Sequence, residues 1–337
     1  MRFIKISLCI LLTVWGIASL RGEVGVIAVT DEDKHSTKAD FAHTFEYFII
    51  PLDKTAVSAG KCQATRVSRR WFVTAAHCVT SCQNGCQIQM DLLEAQVSAL
   101  AGVKHTPKNP AVFSMPGYSA DTFVKNDFAL IRLDLDHTPL VYYQRGEDTS
   151  RQISKTQFDQ FLSAHPSARR AFHRVQHPQF PPLVLFDKAN YILDRTLSVI
   201  AIFNGKRTIK KNHHRVHYVK ELGFAYTDDF GIIKGMSGSG VMTNTGELIG
   251  LISGIFQTIK VPQNKPAAAQ VESEYFMFFV FNKEAEEFMQ SVMGSDFNKL
   301  DWKEAYPSLV SKSGRNYSSI IKRVRTSSRA PKKAPSK

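Results

Sequence analysis

From about residue 24 to residue 133 the apolar residues fall in short runs, VGVIAV, TFEYFIIPL, ATRVSRRWFVTA, QIQMDLLEAQVSAL and DFALIRLDL, with turn residues between them. Runs of this length bounded by turns predict strands, arranged as a barrel or a sandwich. Residues 136 to 194 break the pattern with one short helix near SKTQFDQFLSAH and the Pro-rich QHPQFPPL, and read as a long connection between two halves. A second set of strands follows: RTLSVIAIF, RVHYVKELGFAYT, GSGVMT, ELIGLISGIF and YFMFFVF. The Thr-Asn-Thr-Gly turn at 243 to 246 makes the third and fourth of these a hairpin. NKEAEEFMQSVM then predicts a terminal helix, with Asn282 as its N-cap and Phe288 and Met289 on its apolar side. At 337 residues and 43% apolar content, the chain can bury a large core as one long all-β domain or as two smaller ones.

The two ends differ from this body. Residues 1–22 have a basic start (Arg2, Lys5), an apolar or small run from Ile6 to Leu20, and small residues at Gly16, Ala18 and Ser19. That is the pattern of an export signal cleaved after Ala18, and it predicts a secreted or periplasmic protein. The run falls short of the ~20 residues a spanning helix needs, and no other stretch is long enough. Cys9 sits among apolar residues inside the run, which disfavours lipid attachment. Of the formal net charge of +13, nine charges lie in residues 312–337 and three in the signal, leaving +1 on residues 23 to 311. The folded body is therefore nearly neutral. The tail has too little apolar content to build a core and reads as a disordered basic arm. Its expected counterparts in an exported protein are anionic envelope polymers or lipid surfaces, with no specific nucleic acid.

Removing the signal leaves Cys62, Cys78, Cys82 and Cys86, an even number in an exported chain, which predicts two disulfides. The rival is a four-thiolate zinc site, but free thiolates rarely persist in oxidising compartments. No metal and no cofactor are expected.

Three stretches carry the chemistry: TAAHC at 74 to 78, NDFALIRL at 126 to 133 and GMSGSG at 235 to 240. Each alone has a bland reading, as a capped strand end, a turn or a hairpin loop. Their order, His then Asp then Ser, with each beside a predicted strand, changes the odds. Serine is a poor nucleophile unless a base adjoins it, and the base needs a buried acceptor to fix its tautomer.

On these motifs the chain resembles the chymotrypsin/trypsin-fold serine proteases over roughly residues 24 to 293, nearest in character to bacterial glutamyl-endopeptidase-like members. The resemblance implies two six-stranded antiparallel β-barrels, followed here by a C-terminal helix and the tail, with a monomeric protease domain at 23–311. It implies His77 as base, Asp127 as its orienter and Ser237 as nucleophile, with Ser239 the weaker candidate. It also implies an oxyanion hole from the N–H groups of Gly235 and Ser237, and substrate contacts at Gly231 and at Ser253, which would bond the aspartate. The spacing of 16 between Cys62 and Cys78 matches the family's disulfide beside the catalytic histidine. Cys82 then pairs with Cys86.

Several positions depart from the family. Met236 replaces the aspartate that captures a freed N-terminus in digestive members, Gly240 replaces a proline, and Gln63 and Ala64 replace glycines. Gly231 stands where trypsin-like pockets carry aspartate, and Ile252 where glutamyl-specific members carry histidine, so an uncharged pocket is expected. The run KKNHHRVHYVK offers only two imidazoles, His213 and His217, on one face if extended, and reads as a solvated basic strand. The leading expectation is a serine endopeptidase acting on proteins or peptides through an acyl-enzyme. The alternative is a protease-fold polyanion-binding protein with little or no activity.

Overall fold

Trp71, Phe72, Val73 and Thr74 are all buried, which a strand achieves only where both of its faces are covered. That demand organises the whole fold. The computed structural model of the chain describes residues 5–8, 44–51, 61–82, 86–94, 101–105, 111–119, 125–133, 140–145, 150–176, 179–186, 191–203, 206–219, 224–227, 235–243, 245–260, 270–304 and 310–312. Gly231 and residues 313–337 lie outside them, as does most of the segment read as an export signal.

In chain order the described elements begin with β1 (Lys5–Leu8), β2 (Thr44–Pro51), β3 (Lys61–Arg66), β4 (Trp71–Thr74), β5 (Cys86–Glu94) and β6 (Ala101–His105). β7 (Ala111–Ser114), β8 (Ala129–Arg132), β9 (Leu140–Arg145) and β10 (Ser150–Ile153) follow. Two helices, α1 (Lys155–Ala164) and α2 (Pro166–Gln176), lead into β11 (Leu183–Leu185), β12 (Tyr191–Phe203), β13 (Lys206–Val219) and β14 (Phe224–Thr227). The chain closes with β15 (Gly240–Thr243), β16 (Leu248–Lys260), β17 (Gln270–Val280), α3 (Lys283–Met293), β18 (Trp302–Glu304) and β19 (Val310–Lys312).

These strands form two sheets. The first has nine strands in the order β10-β9-β6-β5-β2-β3-β4-β8-β7, all antiparallel. The second has ten, in the order β15-β12-β13-β14-β17-β16-β11-β18, with β1 on β16 and β19 on β12. β15 also pairs with β16, so six of these strands follow one another in a ring. Only β11 runs parallel to its neighbours, β16 and β18.

The expectation of an all-β molecule made of two six-stranded barrels is overturned. The fold is mixed α/β, with α1 and α2 in the connection and α3 continuing into a 3-10 stretch, Gly294–Lys299. The first sheet is nine-stranded, and no pairing among the described residues joins its two ends. Two physical causes stand out. Leu140–Arg145 and Ser150–Ile153, read as irregular connection, pair with each other and extend the sheet from β6. Beyond them the buried residues are Phe158 and Leu162, then Ala168 and Phe172, an i,i+4 spacing that places each pair on one helical face. Both pairs pack on the first core.

Local chemistry marks the helix ends. Ser154 and Gln157 form a reciprocal capping box at α1, and Pro166 opens α2, where its missing N–H costs nothing. Asn282 caps α3 by accepting from the Ala285 N–H at 2.9 Å, as its sequence predicts. Glu284 and Glu286 add favourable charge to that first turn. The hairpin expected at 243 to 246 joins β15 to β16. The His-rich run is extended in β13 and paired to β12. Among the described residues no helix is long and apolar enough to cross a membrane.

β4 and β8 separate two cores. Phe72, Ala129 and Ile131 face the first, which α1 and α2 cover. Trp71, Val73, Phe128 and Leu130 face the second, together with Leu251, Phe279 and Phe281 of the other half and Phe288 of α3. Phe128 is fully buried and stacks on Phe279 at 4.9 Å between ring centroids, with Phe281 and Phe288 meeting it edge-on. Truncating it to alanine removes the ring around which both halves pack. Phe128→Ala is expected to destabilise by about 3–5 kcal/mol, read from the midpoint of urea unfolding. A loss under about 1 kcal/mol would show that the halves do not depend on this contact.

Candidate active site

β4 ends at Thr74, and Ala75 and Ala76, both fully buried, lead into a 3-10 turn, Ala76–Cys78, that carries His77. Two disulfides hold the region, Cys62–Cys78 with Cα atoms 6.2 Å apart and Cys82–Cys86 with Cα atoms 4.8 Å apart. Both expected pairings form, and these sulfurs are unavailable as zinc thiolates. The first ties the residue after His77 to β3.

Register brings the acid to the histidine. Thr74 pairs with Ala129 in the antiparallel β4–β8 ladder, so the chain just before β8 lies opposite the chain just after β4. Asn126 turns it there with a left-handed φ of 58°, a conformation that asparagine tolerates better than most residues, and donates to the Pro116 carbonyl at 2.5 Å. Asp127 then accepts from the His77 backbone N–H at 2.8 Å through Oδ1. It accepts from His77 Nδ1 at 2.8 Å through Oδ2. The hydroxyl of Ser253, on β16, donates to the same Oδ2.

Asp127 is 1% exposed, whereas the His77 side chain keeps 26% of its surface open. Burial alone would push the imidazole down, but the Asp127 charge and hydrogen bond more than offset this and raise it above its ordinary 6.5. With Nδ1 donating to the carboxylate, Nε2 of the neutral ring carries the lone pair. Nε2 lies 3.6 Å from Cys78 Sγ. Tyr118, half-buried, is pushed up by burial and by the same carboxylate.

Ser237 makes no side-chain hydrogen bond to His77 and is tied to this framework through the main chain. Its carbonyl accepts from the Gln63 N–H at 2.8 Å, and Gln63 directly follows the cysteine bonded to Cys78. Two left-handed glycines, Gly235 (φ 95°) and Gly238 (φ 82°), shape the loop. The Gly238 N–H donates to the Ile252 carbonyl at 2.7 Å, and Ile252 N–H to the Ser239 carbonyl at 2.9 Å, so the loop is also fastened beside Ser253. Ser237 is half-buried while Ser239 is fully buried, which leaves Ser237 the accessible hydroxyl. Met236 is fully buried in place of an acid. Ile252 is buried beside the loop, and Gly231 falls outside the described residues.

The structure therefore joins His77, Asp127 and Ser253 by side-chain bonds and ties Ser237 to the same framework by backbone. In the sequence Gln63 stands out only as a departure from a family glycine. Its contact with the loop requires residues 172 positions apart to meet, and no local signal carries that.

The trypsin family model matches residues 53–158. A solved structure of a Glu endopeptidase in complex with MPD aligns with 12% identity and a TM-score of 0.42, covering 75% of this chain and 91% of that chain. At that identity and score the similarity assigns neither substrate nor mechanism. A search among curated proteins finds no match.

The raised His77 has two consequences of opposite sense. Its stabilising contribution is complete below pH 6.5, its ordinary value, and is lost as pH rises through the folded value. Its capacity to accept a proton appears only above the folded value. The His77 resonance in NMR is expected to titrate above 6.5, and in Asp127→Asn below it, since burial then acts alone. Equal values in the two proteins would show that the carboxylate does not govern the imidazole.

Proposed function

We propose that this chain, which carries a domain of the chymotrypsin/trypsin serine-protease superfamily, is a serine endopeptidase acting through an acyl-enzyme. In this reading Ser237 Oγ attacks the scissile carbonyl while His77 Nε2 takes its proton and later returns it to the leaving amine. Asp127 fixes the tautomer and stabilises the imidazolium. The Gly235 and Ser237 N–H groups receive the developing oxyanion. Water then repeats the sequence on the acyl-enzyme and restores Ser237. The observation that carries the reading is the paired His77–Asp127 with Ser253 behind it, one disulfide away from the strand that holds the Ser237 carbonyl.

Gly231 and Ile252 favour an uncharged residue before the scissile bond. Met236, buried where a carboxylate would capture a new N-terminus, favours activity without a further cut. The pattern of residues 1–22 favours export. Wild-type protein is expected to react with a fluorophosphonate probe at Ser237 and to hydrolyse a peptide library. Ser237→Ala should lose both, and Asp127→Asn should lower kcat on the order of 10⁴-fold. Undiminished labelling of Ser237→Ala would move the nucleophile elsewhere, and an unreactive wild type would favour a binding protein.

The basic tail supplies a separate surface in this reading. Lys312 ends β19, so a deletion from 313 spares the described body. That truncation is expected to keep peptide hydrolysis and to elute from an anionic matrix at lower salt than the full chain, because exposed charges are screened over ~10 Å at 0.1 M. Co-elution of the two forms would remove the tail from any anionic contact.

A further inference from the structure

Cys62 and Ala64 face the first core, so Gln63 between them points to the opposite face of β3. That face meets the loop from Gly235 to Gly240. Gln63 is fully buried, at 0% exposure. Its N–H donates to the Ser237 carbonyl at 2.8 Å, and its side-chain Nε2 donates to the Gly235 carbonyl at 3.2 Å. Its own carbonyl accepts from Thr74 Oγ1 at 2.8 Å, and that hydroxyl is bonded to the Tyr47 phenol at 2.8 Å. The approach leaves no space for a side chain at 238, since a Cβ on Gly238 would lie 2.0 Å from the Gln63 oxygen.

These bonds bracket a single peptide unit. The Gly235 carbonyl belongs to the unit before Met236, and the Ser237 carbonyl to the unit after Ser237. The unit between them carries the Ser237 N–H. Its own carbonyl, that of Met236, accepts from the Ser239 N–H at 2.9 Å. N–H and C=O point in opposite directions in a trans peptide, so the Ser237 N–H is aimed away from Ser239. Gly235, at φ 95°, is one of the two left-handed glycine joints of this loop. The Gln63 amide holds the peptide that follows it.

We infer that Gln63 is a positioning residue, whose side-chain amide locks the Gly235–Met236 peptide and so keeps the Gly235 and Ser237 N–H groups converged on one oxygen. The inference rests on the oxyanion role proposed above. In this role Gln63 acts through its bonds to the Gly235 and Ser237 carbonyls. Its loss acts on the transition state, where negative charge gathers on that oxygen, and leaves ground-state binding nearly intact.

Two substitutions test it. Gln63→Met keeps the shape and removes the donor. It is expected to lower kcat by ~10–100-fold with KM within about twofold, less than the 10²–10³ that follows complete loss of an oxyanion donor. Deuterium uptake in the peptide spanning 235–240 should rise, while uptake over 71–78 stays as in wild type. Gln63→Glu places a carboxyl against the Gly235 carbonyl and should be as slow as Gln63→Met wherever that carboxyl is ionised. Burial raises a carboxyl's pKa, so its rate relative to wild type should recover as pH falls and the protonated acid donates in place of the amide. That comparison follows one folded protein through its own titration. Wild-type kcat in Gln63→Met, unchanged uptake over 235–240, or increased uptake spread evenly over the whole domain would each overturn the inference. Hydrolysis that survives Ser237→Ala would sink the acyl-enzyme reading instead, and deuterium uptake would still decide whether Gln63 holds the loop.

Discussion

The buried carboxylate of Asp127 is the constraint on which the rest of the structure turns. An uncompensated charge removed from water costs several kcal/mol, so a 1% exposed aspartate must find donors wherever the fold can supply them. The His77 backbone and ring come from the first half, and the Ser253 hydroxyl comes from the second. Neither sheet alone satisfies it. The β4–β8 ladder alone brings the carboxylate to His77 and so raises the imidazole, and the two halves must dock in one register for the Ser253 hydroxyl to complete its pairing.

Packing enforces that register. Phe128 follows Asp127 directly and buries its ring among Phe279, Phe281 and Phe288, so the residue that carries the charge is adjacent to the one that carries the apolar contact. Trp71 adds a polar clamp at the edge of the same core by donating to Asp296 at 3.0 Å. Lys299 pairs with Asp296, and their hydrogen bonds together hold its carboxyl below the usual range. β3 acts as the spine between base and loop: one residue bonds covalently toward His77, and the next bonds to the Ser237 carbonyl. Rigid elements thus place each group, as a site that must hold its geometry requires.

Much of the local structure was legible in the chain. Asn282 capping α3, the turn at 243 to 246 and the helix near 155 to 164 all follow from side chains acting on their own backbone within a few residues. α2 is not legible in the chain, because PSARRAFHRVQ carries three arginines and exposes its apolar pattern only through Ala168 and Phe172. β9 and β10 are not legible either, because their strand character is realised by the pairing of β9 with β6 and with β10. Gln63 looked like a loose substitution because its partners, Gly235 and Ser237, are remote in sequence.

By itself the sequence determined which groups could do chemistry: an imidazole between small residues at a strand end, an aspartate before an apolar strand, and a serine flanked by glycines. It determined the pairing of the cysteines only through the family's spacing. Tertiary structure alone decided that the described strands form sheets of nine and ten, that helices cover the first core, and that a glutamine amide reaches the loop of the candidate nucleophile. The physical reason is range. Capping, turn formation and side-chain alternation are interactions within a few residues, whereas sheet width, the shared carboxylate and the Gln63 contacts arise only when segments far apart in the chain exclude water from one another.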